Sequence, residues 1–235
     1  MGKRHTCPIF RQPPLVLTAR LAAVDPASGA RTTTFTAAGQ PDTVTWQDGL
    51  LAGTALEYSY DDILRPDGYT LTLGEDTVAA ASYGYDAAGR FHTVAAGTDV
   101  FSYSYLQNSS LVDTVTSRHG ATEVMKTVKT WDNLNRLTQI ENRNGADLPV
   151  RVYSSHAYTY NAANQRVKVT REDGSYWDYG YDGLGQVTSG TKKKAGGTAL
   201  PGMSFGYLFD DIGNRKQATA NTATSNYVAN LLNQY

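Results

Sequence analysis

The sequence predicts an all-β fold, made of antiparallel β-hairpin repeats joined in a curved strip. Three observations carry that prediction. Aromatic residues recur in pairs two positions apart, an Asp or Asn follows the second aromatic in six of eight copies, and a glycine or asparagine comes three residues later in six of the eight. Aligned on the second aromatic, the pattern appears eight times, at Phe35, Tyr60, Tyr85, Tyr105, Trp131, Tyr160, Tyr181 and Phe209, at intervals of 20 to 29 residues. A period in this range marks an array in which one supersecondary unit is repeated.

Each element of the unit follows from its residue types. The doublets Tyr58 and Tyr60, Tyr83 and Tyr85, Tyr103 and Tyr105, Tyr158 and Tyr160, Tyr179 and Tyr181, and Tyr207 and Phe209 fall on one face of an extended strand, where side chains alternate with period 2. On a helix the two rings would diverge by about 200°. The next residue, Asp86, Asp132, Asn161, Asp182 or Asp210, accepts a hydrogen bond from the backbone two residues on and so starts a turn. Three positions later stand Gly89, Asn135, Asn164, Gly185 and Gly213, the residue types that enter the left-handed region at least cost.

A type I turn closed by a left-handed residue is a three-residue hairpin loop with a bulge, so each copy reads as strand, tight turn, strand. Leu64 and Ser109 break the rule, and looser turns are expected there. Return strands alternate in their own right, as in RLTQI at 136–140 and RVKVT at 166–170. The segments GTKKKAGGTALPG at 190–202 and NRNGADLP at 142–149 read as loops at the opposite end of the strands. Residues 1–31 are expected to form an irregular leader or the start of a first strand, 32–220 the repeat array, and 221–235 the start of a further, truncated repeat.

Composition agrees with a folded chain built on tyrosine. The 235 residues include 16 Tyr and 3 Trp, and the formal net charge is only -1. That balance offers no broad field for nucleic acid or an anionic membrane, so neither is expected as a partner. No apolar run approaches the length of a membrane span, and Arg11, Pro13, Pro14 and Arg20 interrupt every stretch that would serve as a signal peptide. The single cysteine, Cys7, forms no internal disulfide and reads as an idle thiol.

The motif Tyr-Asp-x-x-Gly-Arg, carried by YGYDAAGRF, KTWDNLNRL, YTYNAANQRV and YLFDDIGNR, resembles the RHS or YD-repeat family of bacterial RHS proteins, toxin-complex cocoon components and animal teneurins. The resemblance covers about residues 32–220. It implies a β-strip that spirals into a hollow shell around a polypeptide cargo such as a C-terminal toxin, and delivery to the outside of the cell or its surface. Further repeats and that cargo are the partners it implies. The family's aspartyl autoproteolytic core is not visible in the sequence, and a whole shell uses several times this many hairpins. The chain therefore reads as a fragment of a larger protein. The alternative is a surface adhesion or carbohydrate-binding module, since strand tyrosines also stack on sugar rings; the same-face spacing favours an inner packed face.

No catalytic signature competes with this reading, and no enzyme activity or cofactor is expected. His5, His92, His119 and His156 lie far apart in no metal-binding spacing. Asp61 with Asp62, and Asp210 with Asp211, offer oxygens that a calcium ion would accept, but they lack the dense carboxylates of a dedicated loop. They read as turn initiators. Lys192 to Lys194 read as a solvated loop tip, and Asn108-Ser109-Ser110 matches a glycosylation acceptor pattern. A hydrolase assembled across repeats has no candidate residues.

Overall fold

The computed structural model describes residues 23–25, 29–145, 149–230 and 232. The expectations for the leader up to residue 22, with His5 and Cys7, lie outside the described residues, as do residues 146–148 and most of the chain from 231 on. The chain divides into two compact units, with the boundary between Val100 and Phe101.

The first unit is an antiparallel meander of β1 (Ala23–Asp25), β2 (Gly29–Phe35), β3 (Pro41–Trp46), β4 (Thr54–Tyr60), β5 (Pro66–Leu73), β6 (Asp76–Tyr85) and β7 (Phe91–Ala96), with a single 3-10 turn at Gly49–Leu51. Each strand pairs with the next in sequence. β8 (Asp99–Tyr105) spans the unit boundary and is bridged to β9 (Val112–His119) by the Ser104 and Thr114 hydroxyls, 2.7 Å apart. From β9 the second unit continues the meander through β10 (Thr122–Trp131), β11 (Leu137–Asn144), β12 (Val152–Tyr160), β13 (Arg166–Arg171), β14 (Tyr176–Tyr181), β15 (Val187–Lys193), β16 (Ala199–Phe209), β17 (Arg215–Ala220) and β18 (Ala223–Asn226). The fold is all-β and antiparallel, as the doublet pattern predicts.

Every even-numbered strand from β2 to β16 ends on the second aromatic of a repeat. The pairing register slips by one residue there, for example between Ser59 and Tyr60, Thr130 and Trp131, and Gly180 and Tyr181. This is the bulge that accompanies a three-residue hairpin loop. Gly39, Gly89, Asn135, Asn164, Gly185 and Gly213 all take positive φ, between 60° and 92°.

Three local expectations need correction. Leu64 does not loosen its turn: it takes φ 67° and closes the same bonds as its counterparts, with its N–H on Asp61 O at 2.9 Å. The supposed long loop at 190–202 is mostly strand, closed by a tight turn in which Gly197 N–H donates to Lys194 O at 2.8 Å. Lys193 therefore lies on β15, not on a loop tip, with Nζ 2.6 Å from Asp178 Oδ2. In the fourth repeat the turn is one residue longer, because Leu106 N–H reaches Leu111 O and positive φ falls at Asn108.

Among the described residues neither unit shows a second layer, since the strand contacts described are between sheet neighbours. Burial is correspondingly thin. Only Val44, Gly68, Ser155, Ser175 and Gly190 are buried among the described residues, and no large side chain is fully enclosed. Sheets ordinarily hide one face against another layer. Here cross-strand packing of half-buried rings takes the place of a core.

Candidate functional site

The residues singled out by the repeat converge on one feature, the edge of each sheet where the turns lie. The first turn residue clamps its own loop. Asp86 Oδ1 accepts the N–H groups of Ala88 and Arg90, each at 2.9 Å, while Oδ2 accepts Arg90 Nε at 2.7 Å. Asp61 with Arg65 and Asp132 with Arg136 repeat this geometry, again with Nε to Oδ2 at 2.7 Å. Where the closing residue changes, the pairing changes with it. Asn161 Nδ2 donates to Gln165 Oε1 at 2.6 Å, and Asn214 Nδ2 donates to Asp210 Oδ2 at 2.9 Å. Asp182 keeps only the backbone bonds, from Leu184 and Gln186.

Charge follows geometry. The Arg136 N–H, with the Arg136 side chain and the Leu134 N–H, holds the Asp132 carboxyl below its ordinary pKa against the opposing effect of burial. At Asp61 and Asp86 burial is the larger single influence and favours the neutral acid, but the combined bonds from Arg65 and Ile63, and from Arg90 and Ala88, outweigh it and lower both pKa values. The Asn214 side chain does the same for Asp210. The carboxylates Asp61 and Asp210 are thus committed to their own turns. Among the described residues no group of three or more His, Cys, Asp or Glu is placed to hold a metal ion.

The second aromatic reaches back to the preceding repeat. Tyr60 Oη donates to Pro41 O, Tyr85 Oη to Pro66 O, Tyr160 Oη to Leu137 O and Tyr181 Oη to Arg166 O, at 2.7 to 2.8 Å. Trp131 Nε1 donates to Val112 O at 2.9 Å. Each acceptor is the residue just after the turn of the repeat before, so a ring with a polar tip is needed at this position. Sequence reasoning missed this role. The signal was present in the preference for Tyr and Trp over Phe at the second site.

The closing residue reaches forward. The Arg65 guanidinium lies 3.9 Å from the Tyr85 ring centroid, and that of Arg136 lies 4.8 Å from Tyr160. Arg136 Nη1 also donates to Asn164 Oδ1 of the next turn at 2.7 Å. The motif's arginine therefore bonds its own turn and stacks on the following one, a combination a lysine ammonium cannot reproduce.

The doublets themselves lie on β4, β6, β8, β12, β14 and β16, in the register the period predicts. Their rings meet in groups. In the first unit Tyr83 touches Tyr69 and Phe91, with centroids 6.5 and 5.9 Å away. In the second, Trp177 stacks on Tyr179 at 6.3 Å with an interplanar angle of 6°, and on Phe205 at 6.0 Å. Gly190 pairs with Tyr179 on one side and Phe205 on the other, leaving a cleft of ≈ 250 Å³ among these rings and Tyr207. Burial raises the pKa of the Tyr179 hydroxyl. Elsewhere the rings meet cations: Arg166 lies 4.0 Å from the Tyr158 centroid, and Lys168 Nζ 3.8 Å from that of Tyr176.

No helix among the described residues is long and apolar enough to cross a membrane. His92, His119 and His156 lie on β7, β9 and β12.

Comparison with known proteins agrees with this architecture. Residues 157–198 match the RHS Repeat family. No curated protein matches the chain. Among solved structures, the TcdB2-TccC3-Cdc42 crystal structure superposes with a TM-score of 0.63 at 18% identity, covering 83% of this chain and 10% of its own. TcdB2-TccC3 gives 0.58 at 16% identity, over 87% of this chain and 13% of its own. A Tc holotoxin pore of Photorhabdus luminescens gives 0.59 at 15% identity, over 83% and 12%. The chain thus spans about a tenth of the length of the structures it matches. Residues 157–198 thus carry an RHS repeat, and the chain as a whole shares the fold of these solved structures, with turns clamped by Asp or Asn and aromatics bonded to the repeat before.

Proposed function

We propose that this RHS-type structural segment serves as a non-catalytic stretch of shell wall, whose task is to enclose or present another polypeptide, such as a C-terminal toxin. The observation that supports the reading most is the single-layered sheet in each unit, whose ring-bearing face has no covering layer among the described residues. A sheet so bare is stable only if something else covers it or if its repeats are strongly coupled. Coupling is present at the turn edge, and further repeats together with an enclosed chain would supply the cover. Solved relatives are complexes of TcdB2 with TccC3, and association with other components of a toxin complex belongs to the same proposal.

The test uses the full reading frame that contains these repeats. Limited proteolysis of the purified product should leave an internal polypeptide intact under conditions that digest it once the shell is unfolded. A product with no protected polypeptide overturns the enclosure reading. Labelling by broad protease or glycosidase activity probes, abolished by heat, overturns the non-catalytic part.

One observation favours a second reading, binding of carbohydrate. The Trp177 and Tyr179 rings are nearly coplanar in orientation, and Gly190 opens a cleft beside them, a surface on which a sugar ring could stack. Glycan-array binding lost in Trp177→Ala and Tyr179→Ala would support it, and an array without signal would remove it.

A further inference from the structure

The repeats act as internal templates for one another: three turns close on arginine, at Arg65, Arg90 and Arg136, while the first, sixth and seventh close on glutamine, at Gln40, Gln165 and Gln186. In the second and fifth repeats the turn closes on arginine, whose guanidinium covers the second aromatic of the next repeat, Arg65 over Tyr85 and Arg136 over Tyr160. In the first repeat the same position is Gln40, and the second aromatic of the next repeat is Tyr60. The shorter amide bonds sideways, with Nε2 donating to Leu64 O at 2.7 Å. A cleft of ≈ 420 Å³ lies beside it, lined by Gln40, Asp42, Tyr58, Tyr60 and neighbouring turn atoms.

The lining carries the chemistry that the other repeats use internally. Thr43 pairs with Glu57, which sets the exposed Asp42 opposite Tyr58 on the cleft face. Gln40 Oε1 is buried, so the charged acceptor that the cleft offers is the Asp42 carboxylate. Tyr60 is fixed by its bond to Pro41 O. Two rings and a carboxylate make a site for a planar cation that stacks and donates at once, which describes guanidinium better than ammonium.

We propose that this cleft binds an arginine side chain of another polypeptide, whose guanidinium lies on Tyr60 as that of Arg65 lies on Tyr85. The occupant is a peptide arginine because the acidic group sits at the mouth beside Tyr58, where the α-carboxylate of a free amino acid would meet like charge. The proposal does not depend on enclosure of cargo, since it concerns one cleft in the first unit and is read on this chain alone.

The test is a titration of the full chain, carrying 13C-labelled tyrosine, with a capped Ala-Arg-Ala peptide, followed through the Tyr58 and Tyr60 ring resonances. The arginine peptide should give saturable shifts at both rings. The citrulline peptide, nearly the same shape without the charge, should give none, and the lysine peptide should bind several-fold more weakly. Asp42→Asn should weaken the arginine peptide by about three- to tenfold. Gln40→Arg should abolish binding and move the free Tyr60 resonance towards its ligand-saturated position, because the chain then fills its own cleft. Three results would each overturn the proposal: no arginine-dependent shift at Tyr58 or Tyr60, equal shifts from citrulline, or undiminished binding in Gln40→Arg. Tighter binding of free arginine than of the capped peptide would overturn the peptide source.

Discussion

Reciprocal substitutions of tyrosine and phenylalanine isolate the hydroxyl ladder from the packing of the rings. In the sixth repeat Tyr160 Oη donates to Leu137 O at 2.7 Å, a bond between residues of adjacent repeats in a partly buried setting. In the eighth repeat the same position is Phe209, which packs against Tyr207 with centroids 6.5 Å apart but has no hydroxyl to offer the corresponding carbonyl of Val187. Tyr160→Phe keeps the ring and removes the bond, at a cost of about 1 kcal/mol. Phe209→Tyr adds a bond of the same kind and should stabilise by up to about 1 kcal/mol. With a urea dependence of about 1–3 kcal/mol/M, the two midpoints should move in opposite directions by roughly 0.5 M at unchanged slope. Because repeat arrays open locally, hydrogen exchange of the β11 and β12 amides provides the site-specific reading, and it should accelerate in Tyr160→Phe. If Tyr160→Phe is neutral and Phe209→Tyr is neutral or destabilising, the rings join the repeats by packing alone and the ladder is incidental.

Leu64→Asn should raise stability by about 1 kcal/mol, because a branched side chain at φ 67° is strained where Asn135 and Asn164 are at ease, and Leu64 is 54% exposed, so little burial is lost; an unchanged melting midpoint would contradict the strain. Gly68→Ala should destabilise by about 1–3 kcal/mol, since the added methyl would stand 2.7 Å from the Ala81 carbonyl oxygen, which belongs to the sheet backbone and cannot step aside; thermal unfolding reads the loss. The pH dependence has a fixed sign. Asp61, Asp86, Asp132 and Asp210 have folded pKa values below 3.8, so their contribution is present above pH 3.8 and is lost as pH falls through the depressed values. Acid titration followed by circular dichroism should show this loss, and Asp132→Asn should shrink its amplitude without altering stability trends near neutral pH in the opposite sense.

Much of this architecture is legible in the order of residues because its determinants are local. Aromatics at i and i+2, Asp or Asn next, and Gly or Asn three later specify strand, turn and bulge within about eight residues. Leu64 shows where that reading stops, since its left-handed backbone is imposed by bonds that Asp61 makes to Ile63 and Arg65, not by its own preference. The reach of Tyr160 to Leu137 and of Arg136 to Asn164 was not legible, because it depends on which repeat lies beside which. Lys193 illustrates the same limit. A lysine-rich run reads as solvent-facing until register sets Asp178 within 2.6 Å of it. The cleft over Tyr60 becomes visible only when one repeat is superimposed on the next.

The backward bond of each ring has a consequence for how such a chain can change length. Donor and acceptor sit at fixed places in consecutive repeats, so cutting the chain at the same point in two repeats and rejoining it leaves every retained ring facing a carbonyl of the kind it had before. Genetic duplication or loss of a whole repeat then creates no unmatched seam, while a cut at unlike points strands a hydroxyl and breaks an Asp–Arg clasp. Evolution can lengthen or shorten such a chain by counting repeats, without redesigning any of them.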